Sequence, residues 1–338
     1  LKLTEYGDFI IDPKLVEKYE IIDFHTHITE GIANTMLPSL FRNSIIDFDM
    51  SFFDKSPYHG KGKYLDFDRP SYQVWPKSLF SIFGLKVIMD MLGLTGFISS
   101  LRRASTNRLI RDMKKGSVNQ AVVLPISGLD CDDTARMLTK TDKYNNFITF
   151  GSIHPYDSNQ QDKIERYIEL GVKGFKLNPH IWDIEFNDPK LVSLIKKLAK
   201  TNLPIISCSG LAVPDYFDLP NFIKDKLETQ NLNKYEKVLN KIPNATFVFA
   251  HGGIEQNKKL IELMNKFPNT YAEISTQPSQ NIKRMIKEVG SNRLLFGSDY
   301  PVFNQSFPIL AVLRATEYEE DRKAIFSKNA RKILALKE

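Results

Sequence analysis

Residues 21–31 read IIDFHTHITEG, and the reading of the whole fold starts from them. Ile21 and Ile22 open an apolar run suited to a buried strand, and the run ends on His25 and His27. Residues i and i+2 of a strand project from one face, so the two imidazoles point the same way. Imidazole is the commonest ligand of a catalytic transition metal, and two at a strand end supply half of a four-coordinate site. Two histidines can also fall together in an ordinary loop. Context separates the readings: Asp23 precedes the pair, Gly31 follows it, and acidic and histidine residues recur at later strand ends.

Beyond about Leu101 the chain alternates helix and strand. Helical stretches around Ser105–Lys115, Asp132–Tyr144, 157–171, 187–200, Leu232–Lys241, 255–267 and Ser279–Val289 are followed in turn by VNQAVVLPI, NFITFGSIHP, VKGFKLNP, LPIISCSG, ATFVFAHGG, NTYAEIST and NRLLFGSDYP. In NDPKLVSLIKKLAK, Asn187 or Asp188 is the N-cap, Pro189 takes the first turn, and Leu191, Leu194, Ile195 and Leu198 share one face. With the strand of Ile21 the count is eight. Strands separated by helical crossovers pair in parallel, so the expected fold is a closed (β/α)8 TIM barrel. An open doubly wound sheet would want a Gly-rich phosphate turn after the first strand, and none is there.

The interval from residue 32 to residue 101 breaks this rhythm. It is crowded with aromatics, Phe41, Phe48, Tyr58, Tyr64, Trp75 and Phe83 among them, and is too long for a structureless loop. It reads as an inserted lid within one domain spanning residues 1–338, or as a surface for homodimerisation. An aromatic lid over a barrel mouth would exclude water and wall a pocket for a planar or cyclic carboxylate. Residues 1–19 are a polar lead-in with no visible function.

The 338 residues can bury a large core, and 42% hydrophobic with 25% charged is the composition of a globular protein. The net charge of +6 is scattered among acids, which argues against a nucleic-acid surface. The most apolar long run, Leu79 to Leu101, carries Lys86 and Asp90, so no membrane span is expected. Two cysteines, Cys131 and Cys208, and no secretory leader suggest a cytoplasmic protein.

In a barrel of this kind catalytic groups sit at the carboxyl ends of the strands. Those ends carry His25 and His27, then His154, Lys176 with His180, Cys208, His251, Glu273 and finally Asp299. The segments DFHTH, GSIHPYD, GVKGFKLNP, LPIISCSG, FVFAHGG, LLFGSDYP and KNARKIL together resemble the amidohydrolase superfamily, in the branch of aminocarboxymuconate semialdehyde decarboxylase and related lactonases. The resemblance runs from about Ile21 to the end of the chain. It implies that His25 and His27 are the first-strand metal pair. It implies too that His251 ligates a second metal or polarises the substrate carbonyl, and that Asp299 is both a metal ligand and the base that takes a proton from the attacking water.

The sequence departs from that pattern at Cys208, where relatives place a metal-binding histidine. Thiolate is an excellent zinc ligand, so Cys208 either replaces the imidazole and biases the site to zinc or is a buried apolar residue. Lys176 is expected to bind substrate rather than to be carbamylated between two metals, and with His180 to meet a carboxylate. His154 reaches the pocket or caps its turn, Glu273 hydrogen-bonds substrate or orients a ligand, and Arg42 is a lid contact.

These readings converge on a hydrolase of a small carboxylate-bearing lactone or amide. It would use one divalent metal, zinc first, with manganese or a second metal as the alternative. Metal-activated hydroxide would attack, Asp299 would shuttle the proton, and His251 would steady the oxyanion. Two alternatives stand beside it: a non-oxidative decarboxylase of an unsaturated or aromatic acid at the same metal, and a barrel that has lost its metal chemistry and survives as a binding protein.

Overall fold

The computed structural model describes residues 2–3, 9–30, 104–129, 131–212 and 221–336. Segment 32–101, and Arg42 within it, lie outside the described residues. The eight expected strands are all present, each shorter than its apolar run. They are β1 Ile22–Thr26, β2 Gln120–Val123, β3 Phe147–Thr149, β4 Phe175–Leu177, β5 Ile205–Cys208, β6 Phe247–Ala250, β7 Thr270–Glu273 and β8 Leu294–Leu295.

Every neighbouring pair is parallel, in the order β1-β2-β3 and β4-β5-β6-β7-β8. Two seams join these arcs into a ring. Gly151, just past β3, bridges Phe175 of β4, and Thr26 of β1 bridges Tyr300, beyond β8. At the second seam Phe24 N–H donates to Phe296 O and His27 N–H to Tyr300 O, both at 2.8 Å. The chain is therefore a closed α/β TIM barrel. Gly174 shows how tightly the first seam is drawn, since a Cβ there would lie 2.4 Å from the Phe150 ring.

The apolar residues divide as a two-residue strand period requires. Val122, Leu124, Ile148, Phe150, Ile206, Val248, Ala250 and Leu295 form one cluster in the barrel interior with Ile22 and Phe24. Their alternates, including Ala121, Val123, Phe175, Leu177, Ile205, Phe247, Phe249 and Leu294, pack outward under the helices. Strand β1 needs one irregularity to place both its apolar and its histidine residues inside. Its register against β2 slips by one residue between Asp23 and Thr26, so the inward face passes from Ile22 and Phe24 to His25 and His27. The two histidines still converge, with their Nε2 atoms 3.1 Å apart.

The helices follow their caps. Ser105 Oγ accepts from Arg108 N–H ahead of helix Thr106–Gly116, and Asp188 Oδ1 accepts from Lys190 and Leu191 N–H ahead of Pro189–Ala199. Gly171, at φ +87°, ends the turn after helix Gln160–Glu169. The expected helix Leu232–Lys241 is instead a 3₁₀ turn, Leu232–Lys234, running into a short helix, Tyr235–Leu239. A short helix at Pro179–Trp182, carrying His180, was not expected. The lead-in is tied to the barrel, with Ile11, Val16 and Tyr19 buried. Among the described residues no helix is long and apolar enough to cross a membrane.

Candidate metal centre

The slip in β1 and the seam beside it bring His25, His27 and Asp299 to one point at the carboxyl end of the barrel. His25 Nε2 and His27 Nε2 are 3.1 Å apart, and Asp299 Oδ1 is 3.5 Å from each. Metal bonds of about 2.1 Å meeting at 90–109° hold their donor atoms about 3.0–3.4 Å apart, so these three fit one divalent cation.

Both rings are locked in the tautomer a metal needs. His27 Nδ1–H donates to Leu124 O at 2.7 Å, and His25 Nδ1–H donates to Glu273 Oε2 at 2.6 Å. Each Nε2 is thus left with its lone pair facing the shared point. His25, His251 and Glu273 also lie within reach of one another. Binding an ion there would displace the proton between His25 and Glu273 and break the anchor of the first set. Glu273 is fully buried, and its oxygens also accept from His251 N–H at 3.1 Å, Ser275 N–H at 2.5 Å and Ser275 Oγ–H at 3.0 Å. It therefore faces the ligand it orients.

His251 lies against His25, ring centroids 4.7 Å apart and planes at 30°, with its Nδ1 2.9 Å from Ser275 Oγ and 3.9 Å from Asp299 Oδ2. His251 and Asp299 both adopt left-handed backbone, φ 60° and 57°. That conformation is uncommon away from glycine, and here it turns both side chains back over the barrel mouth. The charges then separate. Burial pushes Asp299 up, but the imidazoles of His251, His25 and His27 outweigh it and hold the carboxyl well below its usual range. Burial pushes His251 down, but Asp299 and the Cys208 sulfur outweigh that and raise it above the ordinary histidine value. His25 is held well below it, by burial first and then by the Lys176 ammonium. The arrangement keeps a carboxylate, a neutral ligand imidazole and a readily protonated imidazole side by side.

Cys208 falls outside both convergent sets. Its sulfur accepts from Lys176 Nζ at 3.1 Å, across the β4–β5 pairing, and lies 3.8 Å from Asn178 Oδ1. Burial pushes the thiol up, but Lys176 and then His180 outweigh it and hold it well below the usual range. Lys176, expected to meet substrate, is itself fully buried on this thiol. His180 is half-buried, and its Nδ1 has no hydrogen-bond partner. His154 Nδ1 accepts from Tyr156 N–H at 3.2 Å, a turn-capping contact, with its ring edge-on to Trp182.

Sequence reasoning did not find Ser275 or the Leu124 carbonyl. Nor did it find that Asp23, through Ser298 N–H at 2.9 Å, Ser298 Oγ–H at 2.6 Å and Gln305 Nε2–H at 2.7 Å, ties β1 to the turn that presents Asp299. Only Ser275 had a local signal, two residues beyond Glu273 and just past the end of its strand.

A parallel barrel with two imidazoles and a carboxylate converging at its carboxyl rim defines a class of metal-site enzymes. The family model described as "Amidohydrolase" matches residues 22–336, and the chain belongs to that family of enzymes. Solved structures share the fold at low identity. A manganese complex of 5-carboxyvanillate decarboxylase from Novosphingobium aromaticivorans is 15% identical, covering 98% of this chain and 99% of that one at a TM-score of 0.62. A protein of Acinetobacter baumannii described as a probable 2-pyrone-4,6-dicarboxylic acid hydrolase is 12% identical, covering 94% and 99% at 0.57. A manganese-bound dihydroxybenzoic acid decarboxylase of a Polaromonas species is 15% identical, covering 74% and 93% at 0.57. No curated protein matches the chain in sequence.

Proposed function

We propose that this protein is a metal-dependent hydrolase of a small carboxylate-bearing lactone or amide, with one divalent cation held by His25, His27 and Asp299. The observation that carries the reading is the convergence of three donor atoms 3.1–3.5 Å apart, both imidazoles having their lone pairs committed to that point. Zinc is the proposed metal, since two imidazoles and a carboxylate are a familiar zinc donor set. When bound, such a cation polarises a carbonyl oxygen and acidifies water.

The chain's own residues divide the remaining work. Asp299, held anionic, accepts the proton of the attacking water. His251, raised towards its protonated form, steadies the oxygen that gains charge and returns a proton to the leaving oxygen or nitrogen. Two neighbouring groups driven apart in pKa are what an acid and a base at one site require. Glu273 keeps His25 aimed. His180, whose Nδ1 has no hydrogen-bond partner, and Lys176 are the residues we assign to the substrate carboxylate.

A second reading, decarboxylation of an aromatic acid, is favoured by the two decarboxylases among the fold relatives. The test is protein loaded with zinc or manganese, beside chelator-stripped protein, offered carboxylated lactones and hydroxybenzoates in parallel. Metal-dependent ring opening supports the hydrolase. Metal-dependent carbon dioxide release replaces it with the second reading, and failure to bind either metal sinks both.

A further inference from the structure

His27 is aimed by the bond from its Nδ1–H to Leu124 O, yet β1 ends at Thr26 and β2 at Val123. Donor and acceptor stand at the last rung of the ladder, where Leu124 N–H donates to Thr26 O at 2.9 Å and His27 N–H to Tyr300 O at 2.8 Å; the loops begin just beyond them. The helix that follows β2, Asp133–Thr141, holds the loops that continue from that rung.

Asp133 is buried, and its Oδ2 accepts from Ile126 N–H at 2.7 Å, two residues beyond Leu124. Its own N–H donates to Ser127 Oγ at 3.1 Å, so the β2 loop is held twice. Oδ1 accepts from Arg136 Nε–H at 2.5 Å. The guanidinium then turns its other two nitrogens on the β1 loop, Nη2–H to Ile28 O at 2.6 Å and Nη1–H to Glu30 O at 2.8 Å. Glu30 N–H in turn donates to Ala104 O at 3.2 Å. One carboxylate and one guanidinium thus join the loops on either side of the His27 ring. An ordinary helix-surface ion pair three residues apart would engage neither loop. A lysine could not reproduce the contacts, because a single ammonium cannot serve three acceptors lying in the fork geometry of a guanidinium.

We propose that Asp133 and Arg136 are a positioning pair for His27, a clamp on the two loops flanking its imidazole that sets where Nε2 points. The proposal rests on the reading of His27 as a metal ligand. Groups that hold a ligand's partner change metal affinity by about 10–100-fold when removed, and a clamp one bond further out should act near the lower figure.

The experiment measures Mn²⁺ affinity by chelator competition, the Mn²⁺ electron paramagnetic resonance spectrum and the melting temperature without metal. The proteins are the wild type, Arg136→Gln, Arg136→Lys, Asp133→Asn and His27→Ala. The expected result is about tenfold weaker binding and an altered spectrum in Arg136→Gln and Asp133→Asn, with Arg136→Lys between them and the wild type. Should Arg136→Gln fail to fold, Arg136→Lys carries the same comparison. Loss of metal-free melting temperature with affinity and spectrum unchanged in every folded clamp variant would reduce the pair to a structural tie and overturn the proposal. Unchanged affinity in His27→Ala would remove the ligand reading and the clamp's purpose with it, an outcome distinct from failure of the clamp alone.

Discussion

Replacing Glu273 by glutamine tests the metal centre through a residue that is not one of its three ligands. The Oε2 atom accepts His25 Nδ1–H, His251 N–H and Ser275 Oγ–H, and Oε1 accepts Ser275 N–H. An amide has one oxygen. If that oxygen takes the Oε2 place, the NH2 group meets Ser275 N–H donor to donor, across what was a 2.5 Å bond. If it takes the other place, the NH2 group faces His25 Nδ1, and the imidazole can be satisfied only by moving its proton to Nε2, where the cation would sit. Both placements are fully buried, so water cannot repair either.

The cost is a lost hydrogen bond to a charged group, about 1.5–3 kcal/mol. The cost in metal affinity is about 10–100-fold. Chelator competition with zinc or manganese on wild type and Glu273→Gln reads the second, and thermal melting of the metal-free proteins reads the first. A Cβ on Gly297 would lie 2.2 Å from Glu273 Oε1, so Gly297→Ala should displace the same carboxylate and weaken metal in the same direction. Metal affinity equal to wild type in both variants would refute the assignment of Nε2 of His25 to the metal.

Asp299→Asn should keep the fold and lower turnover by about 10²–10⁴-fold, read in a steady-state assay beside a circular dichroism spectrum; near-normal turnover would remove Asp299 from proton transfer. Metal-free stability should peak near neutral pH. His25, depressed in the fold, contributes stability that is full above about 6.5 and is lost as the pH falls; His251, raised in the fold, contributes stability that is full below about 6.5 and is lost as the pH climbs through its folded value. Melting temperature against pH should show both limbs, and His251→Asn should flatten the alkaline one; an unaltered alkaline limb would show that His251 does not titrate there. Lys176→Met should raise the Cys208 pKa, seen as loss of thiolate absorbance near neutral pH, since the ammonium is the first of the groups that hold the thiol down. A thiolate that persists would transfer that role to His180.

The fold was legible because its signals are local and repeated. Apolar runs of strand length, capped helices such as the one behind Asp188, and turn glycines such as Gly171 each follow from a few neighbouring residues. His25 and His27 were legible for the same reason, needing only the strand period. The partners of these residues were not. Glu273 meets His25 across 248 positions of sequence, and Cys208 meets Lys176 through the β4–β5 register, which no short pattern encodes. The bulge in β1 was not legible either, since only contacts with distant strands show that the even-numbered Ile22 and Phe24 face inward along with the odd-numbered histidines. The same long-range register left the role of Cys208 open, and in the structure its sulfur is placed on Lys176, apart from the three converging donors.

The seam that joins the first strand to the segment beyond the last one has a consequence in time. His25 and His27 leave the ribosome some 270 residues ahead of Asp299 and the Tyr300 carbonyl that receives His27 N–H. At translation rates of about 5–20 residues per second, the first two donors wait on the order of half a minute for the third. Until then the first-strand pair has neither the Asp299 carboxylate nor the barrel closure that holds it still. Acquisition of the full three-donor site therefore waits on the segment beyond the last strand, and its completion certifies that both ends of the barrel have met.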